Sequence, residues 1–485
     1  MNKKFNKNQK KAVEFYKGPC LVLAGPGSGK TYVLTNRIYN LINTRGVDSK
    51  NILSISFTRS AADEIKNRFR EILDVEEVES NVMPTFGTFH SVFFEILRES
   101  FGYTSKSLID VVEEREILRS AIWKVQGTYV SDAMISLILK DIKEYKLSLE
   151  KVNVFEPKYL NKKLFFEIYD KYQENLFYEK KLDFSDMIWK CYRLLKDNKE
   201  ILKYYQDKYK YILIDEFQDI NKLQYMLIKL LCKSKNLFVV GDDDQSIYQF
   251  RGSSPNAMID FIKDYKNVEV INLNENYRCA RKIVEFSKRV IAFNKNRFNK
   301  DLISNRELFG VLEIKAFVDS RQQNEYIVNI IKKYKKQGIP YSGMAILYRT
   351  NILANSIIPY LDKYNIAFNK NEKDIENESD VKKDVKKENK KEIKKVDAVS
   401  LMTFHMSKGL EFNVIIIVDA NDGLVPHKKS IKEHEIEAER RLFYVAMTRA
   451  KDNLHIFFTV NRFGKSYKAS RFILEAIGDE DGKER

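Results

Sequence analysis

The chain is 485 residues long, 44% hydrophobic and 31% charged, with a net charge of +16. That length exceeds one core and predicts two to four domains, while the lack of any apolar run of ~20 residues excludes membrane-spanning helices and predicts a cytoplasmic protein. The cationic excess points to a polyanionic partner, and four scattered cysteines (Cys20, Cys191, Cys232, Cys279) without a C-x-x-C pair argue against a zinc site or disulfide framework.

The start, Met-Asn-Lys-Lys-Phe, is polar, so no apolar leader is expected. Phe5-Asn6-Lys7-Asn8-Gln9 then opens a short helical pattern (Ala12, Val13, Phe15). The Gln9 amide both donates and accepts, which suits an adenine edge as well as it suits a plain surface position. Leu21 to Leu23 reads as a buried strand. Ala24-Gly25-Pro26-Gly27-Ser28-Gly29-Lys30-Thr31 follows at once, then a periodic apolar segment (Val33, Leu34, Ile38, Leu41) that reads as a helix. Strand, glycine-rich turn and helix together predict a phosphate-binding loop. Its backbone N–H groups and the helix start face an anion; Lys30 is expected on the β- and γ-phosphates and Thr31 on Mg²⁺. The first position of the pattern is Ala24 rather than glycine.

Ile52 to Phe57 is a second buried strand, and Phe57 and Thr58 stand at its carboxyl end, where open α/β sheets bind ligands. In Phe86-Gly87-Thr88-Phe89-His90-Ser91, the residues Thr88, His90 and Ser91 suit a nucleic-acid backbone, although a lone histidine here is more often a hydrogen-bonded core residue. Residues 99–182 are helical in pattern and charged, and read as an insertion between strands of the first sheet. Tyr211 to Ile214 is a strand that delivers two adjacent carboxylates: Asp215 for Mg²⁺ and Glu216 to orient and deprotonate an attacking water. Leu237 to Val240 is another strand, ending near Gln245, a candidate sensor of the γ-phosphate. Tyr248, Phe250 and Arg251 follow; aromatics beside an arginine suit base stacking with phosphate contact, and core packing is the alternative for the two rings.

Val311 to Phe317, Met344 to Tyr348, Val399 to Phe404, Val414 to Val418 and Leu454 to Phe458 predict a second set of buried strands. Residues 370–397 are dominated by Lys and Glu, lack aromatics and cannot bury a core, so a linker or a lone charged helix is expected.

These blocks stand in an order that resembles the UvrD/Rep/PcrA helicases of superfamily one. The second half continues the resemblance with Asn276-Tyr277-Arg278, with Thr403 to Phe412 and with Glu439 to Ala450. It implies an α/β fold of two RecA-like P-loop lobes with parallel sheets. Residues 1–98 and 183–272 would form the first lobe, 99–182 a 1B-like helical insertion, 273–369 and 398–478 the second lobe, and 479–485 a tail. It further implies that Tyr277 stacks on adenine, that Arg278 and Arg449 are arginine fingers from the second lobe, and that Glu411 meets the ribose. Phe57, Phe250 and Phe463 would stack on DNA bases, with Thr58, His90, Arg251, His405 and His427 near the strand and Tyr248 beside it.

This sequence departs from the family at Phe250, where Trp is frequent, at Tyr32, where Arg is frequent, and at Arg59-Ser60 in place of Asn-Lys. Larger relatives carry a duplex-contacting 2B domain where residues 370–397 lie. The resemblance therefore implies an ATP- and Mg²⁺-dependent 3′→5′ DNA helicase or single-strand translocase acting in repair or replication. Single-stranded DNA and DNA junctions would be its partners, with weak or partner-dependent unwinding and no fused nuclease. A different class of reading is a DNA-sensing ATPase subunit beside a nuclease, as in Gabija-type anti-phage systems; an RNA helicase is a third.

Overall fold

A computed structural model describes residues 5–76, 83–148, 152, 154–248, 253, 256–370, 397–432, 435–462 and 464–478. The first sheet comprises β1 (Cys20–Ala24), β2 (Ile52–Ser56), β3 (Thr85–Thr88), β4 (Tyr211–Ile214), β5 (Leu237–Gly241) and β6 (Glu269–Leu273). All are parallel, in the order β3-β2-β4-β5-β1-β6. Successive strand residues face opposite sides. Cys20, Val22 and Ala24 pack with α1 (Lys7–Glu14), α2 (Lys30–Tyr39) and α3 (Arg59–Val75). Leu21 and Leu23 face the other side, where α4 (Phe89–Phe101) lies.

Beyond α4 the chain leaves the sheet. The helices α5 (Val111–Gln126), α6 (Asp132–Ser148) and α7 (Lys162–Tyr178) pack on one another through Leu118, Ile122, Ile138, Ile142, Phe165 and Tyr172. The chain returns through α8 (Phe184–Asp197), α9 (Lys199–Lys208), α10 (Lys222–Leu231) and α11 (Ala257–Asp264), which complete the layer begun by α4.

A short parallel ladder joins β7 (Glu275–Asn276) to β8 (Ile303–Ser304), with α12 (Arg281–Ala292) between them. The second sheet contains β9 (Val311–Asp319), β10 (Met344–Tyr348), β11 (Phe368–Lys370), β12 (Val399–Thr403), β13 (Phe412–Ile417), β14 (Ala450–Arg462) and β15 (Lys465–Ser466). Its order is β11-β12-β10-β13-β14-β15, with β9 also parallel to β14; only β15 is antiparallel. One face packs on α12 and the helix Ile436–Met447, the other on α13 (Ser320–Lys336). These are the two parallel-sheet lobes of a RecA-like pair.

Six strands had no clear apolar run, among them the two-residue β7, β8 and β15. The edge strands β3 and β6 carry half-exposed residues, and β11 is short. A strand paired on one side buries fewer side chains and loses the continuous pattern that marks a central parallel strand. β6 runs one residue past the expected boundary at 272, and α4 runs to Phe101, past the expected start of the insertion at 99. The expected charged linker lies outside the described residues except at its ends. Lys370 closes β11, and Asp397 pairs with Lys335 (2.6 Å) and accepts from Ser342 N (2.8 Å). The expected tail, 479–485, also lies outside them.

Candidate active site

The parallel strands of the first sheet end together, and the loops that follow them build one cleft edge. Ala24 closes β1 without a left-handed backbone, so a side chain is tolerated at that position. The left-handed angles come later, at Gly27 (φ +66°) and Gly29 (φ +87°), and Gly29 starts α2. Ser28 Oγ donates to Gly25 O (2.8 Å), and Gln9 Nε2 donates to Ser28 O (3.1 Å). Gln9 Oε1 accepts from Asn6 N (3.1 Å), so this buried amide braces the loop as well as capping α1. Tyr277 lies beside it: its hydroxyl accepts from Asn6 Nδ2 (2.9 Å) and donates to Glu275 Oε2 (2.8 Å), and the residue is 42% exposed. The structure thus brings together the expected adenine pair, Gln9 and Tyr277.

β4 delivers Asp215 and Glu216 to the same edge. Glu216 sits at φ 51°, ψ 44°, a left-handed conformation unusual for a residue other than glycine. Its carboxylate lies 3.4 Å from Lys30 Nζ and accepts from Gln218 Nε2. Burial would raise the Glu216 pKa, but Lys30 and Lys408 outweigh it and draw it down to about 2. Burial and the adjacent Glu216 charge push Asp215 the other way, up to about 7. Its Oδ1 is buried without a hydrogen-bond partner. The half-buried Thr31 offers a hydroxyl and Asp215 this unpartnered carboxylate oxygen, both hard oxygen donors of the kind a divalent cation takes.

The second lobe completes the cleft. Asn276 Nδ2 donates to Pro26 O (2.8 Å), and Tyr277 N donates to Gly27 O (2.9 Å). Arg278 Nε donates to Glu411 Oε2 (2.7 Å), and Lys451 meets the other oxygen at 2.6 Å. Glu411 therefore orients Arg278 and Lys451 here. Arg449 is fully buried; its Nε donates to Val445 O (2.9 Å) and its Nη2 to Gln245 Oε1 (3.3 Å). Burial and the nearby Arg278 lower the Arg449 pKa to about 10, which leaves it charged at neutral pH. Lys408 reaches across to Asp219 and donates to Gln245 O (2.8 Å). Sequence reasoning missed Lys408, Asn276 and Gln218 as site residues. Asn276 and Lys408 stood inside quoted motif blocks and Gln218 two residues beyond Glu216, but only spatial proximity shows which neighbours of a motif residue face the cleft.

The expected DNA contacts are more dispersed. Phe57 is half-buried and stacks on Tyr248 (5.4 Å between centroids, 11° between planes). Tyr248 itself is buried, with Lys408 over its ring at 4.8 Å. The Tyr248 ring is therefore packed against Phe57 and Lys408 rather than set out on the surface. Thr58 caps α3, its Oγ1 accepting from Ala61 N (3.2 Å). His90 stands edge-on to Phe184 (5.7 Å), and burial lowers its pKa to about 4. His427 is half-buried, donates its backbone N–H to Glu439 Oε2 (3.1 Å) and accepts from Lys429 N at Nδ1 (3.3 Å). His405 is half-buried at the carboxyl end of β12. Phe250, Arg251 and Phe463 lie outside the described residues.

The profile of the UvrD/REP helicase N-terminal domain matches residues 5–266. That of the UvrD-like helicase C-terminal domain matches residues 271–376 and 370–461, two pieces that meet at the start of the charged stretch. YjcD of Bacillus subtilis is 30% identical over 612 residues, covering 96% of this chain and 80% of its own length. The ATP-dependent DNA helicase Rep of Buchnera aphidicola is 35% identical over 370 residues, covering 75% of this chain and 54% of its own. The ATP-dependent DNA helicase PcrA of Staphylococcus epidermidis is 29% identical over 641 residues, covering 98% and 87%. With both domain profiles matched in sequence order on two parallel-sheet lobes, the chain belongs to the UvrD/REP helicase family and is an ATP-dependent DNA helicase of the UvrD/PcrA/Rep type.

Proposed function

We propose that the chain is a single-stranded DNA translocase of 3′→5′ polarity, in which ATP binding draws the lobes together and hydrolysis releases them. The observation that carries this is the convergence of Lys408, Arg449 and Arg278 from the second lobe on Asp219, Gln245 and the P-loop of the first. In this reading Lys30 and the loop amides of residues 25–31 hold the phosphates, and Gln9 and Tyr277 hold the base. Glu216 takes the proton of the attacking water, a role for which an ionised carboxylate is ready at neutral pH. Arg278 leaves Glu411 to join Arg449 and Gln245 on the γ-phosphate, where a fixed cationic fork stabilises developing charge. Glu411 is then free for the ribose. Thr31 and Asp215 would hold Mg²⁺, which when bound supplies charge neutralisation on the phosphate oxygens.

Phe57, backed by Tyr248, is the stacking group nearest this machinery, and the Tyr248–Lys408 contact joins it to the second lobe. Thr58, His90, His405 and His427 line the strand's path. Unwinding by the isolated chain is expected to be weak, and a role in repair or replication is expected to bring a protein partner.

The direct test is ATP hydrolysis with and without single-stranded DNA, for the wild type and Glu216→Gln. Strong DNA stimulation is expected, with turnover falling about 10²–10⁴-fold in the variant. Nucleotide binding should persist or tighten, because the substitution removes a carboxylate beside the phosphate-holding lysine. A folded wild type that hydrolyses ATP no faster with DNA would overturn the translocase reading.

A further inference from the structure

Asp242, Asp243 and Asp244 follow β5 and are all buried. Their counter-charges come from the segment between α12 and β8, across the lobe boundary. Lys300 Nζ lies 2.5 Å from Asp242 Oδ1, 2.5 Å from Asp243 Oδ1 and 2.9 Å from Asp244 Oδ2, with its side chain 1% exposed. Arg297 forks onto Asp244 through Nε (2.9 Å) and Nη2 (2.7 Å), and Phe298 N donates to Asp243 (2.7 Å). Desolvating so many charges is expensive unless the geometry is held tightly. The sequence reading assigned no role to Lys300 or Arg297.

The cluster acts on a residue of the cleft. Gln245 Nε2 donates to Asp242 Oδ2 (2.5 Å), while Gln245 Oε1 accepts from Arg449 Nη2 (3.3 Å). An ionised carboxylate accepts only, so Asp242 selects the amide orientation with nitrogen toward itself and oxygen toward Arg449. Lys300 holds the other oxygen of that same carboxylate. The Lys300 segment is also keyed to the P-loop. A Cβ on Gly25 would fall 2.2 Å from Leu302 Cδ2, and β8 pairs with β7, whose Asn276 grips Pro26 O.

We propose that Lys300 is a positioning residue for ATP turnover: by clamping Asp242 it fixes the orientation of the Gln245 amide and ties that orientation to the second lobe. This rests on the reading of Gln245 and Arg449 as γ-phosphate groups. The test is steady-state, DNA-stimulated ATP hydrolysis by wild type, Lys300→Met, Gln245→Ala and the double variant. Lys300→Met is expected to lower kcat about tenfold or more with KM for ATP within about twofold, and to add nothing in the Gln245→Ala background. Effects that multiply in the double variant would overturn the proposal. If Gln245→Ala alone hydrolyses ATP normally, the phosphate-sensing reading of Gln245 fails and takes the proposal with it. Should Lys300→Met not fold, the charge-balanced Lys300→Met/Asp243→Asn pair replaces it, with the same kcat loss expected; normal turnover would overturn the proposal. Lys300→Arg, which keeps the charge but not the point geometry, should recover turnover only in part; turnover no better than that of Lys300→Met would count against a clamp that works through charge.

Discussion

At the residue scale, the P-loop glycines differ in what they demand. Gly27 has φ +66°, and a Cβ there would come within 2.5 Å of Arg278 Cβ and 3.1 Å of Arg278 N. The constraint is doubled: a strained backbone for any L side chain, and a backbone neighbour from the second lobe that cannot rotate away. Gly27→Ala is therefore expected to push the Asn276–Arg278 segment off the loop. KM for ATP should rise by about tenfold or more while the melting temperature shifts by only a few degrees. Nucleotide titration and a thermal melt would check this, and an unchanged KM would show that the two lobes do not need this approach. Ala24 is the counterexample, since it ends a strand in ordinary backbone and needs no glycine. Glu216 shows the opposite economy. Its left-handed backbone costs roughly 1–3 kcal/mol and is retained at the carboxylate expected to do the chemistry.

At the element scale, a buried lysine ties the helical insertion to the first lobe. Lys146 of α6 meets Asp183 (2.5 Å) and Asp186 (2.8 Å) at the start of α8, and Tyr172 of α7 donates to Asp183 (3.0 Å). Burial works against the Lys146 charge, but the two carboxylates outweigh it and hold its pKa above the usual range. Asp183 and Asp186 also cap α8 reciprocally, so the same two carboxylates act as a helix start and an anchor. Lys146→Met would strand two buried carboxylates and is expected to cost about 3–5 kcal/mol in urea unfolding. Adding Asp186→Asn should return part of that loss. A loss below about 1 kcal/mol in the single variant would mean that the anchor lies elsewhere. The helices α5 to α7 were legible from charge and periodicity, whereas the anchor was not, because Lys146 and Asp183 lie far apart in sequence and touch only once α6 packs on α8.

At the scale of the whole molecule, Lys408, Arg449, Asn276, Lys300 and Arg297 make the two sheets one machine, each reaching a first-lobe partner. The net charge of +16 belongs to this scale too, because it sets how the molecule meets a polyanion. Single-stranded DNA contacting about six phosphates should give a slope near −4 in log K against log salt. Anisotropy titrations across sodium chloride concentrations would measure it, and a slope near zero would remove the electrostatic part of the account. The central strands, the P-loop and the Asp215-Glu216 pair were legible from the sequence alone, since each is a local pattern: an apolar run, a glycine turn, two carboxylates at the end of a strand. The edge strands β3, β6 and β11 escaped, because pairing on one side leaves no continuous apolar run. Tyr248 had a motif but no fixed direction, and only packing against Phe57 and Lys408 turned it inward. The ion pairs that join the lobes were likewise invisible, because a charged residue carries no sign of its partner until the chain has brought distant segments together. Local chemistry thus determined what the cleft contains; tertiary structure alone decided which lobe supplies each charge and which carboxylates are clamped, since both depend on contacts between residues far apart in the chain.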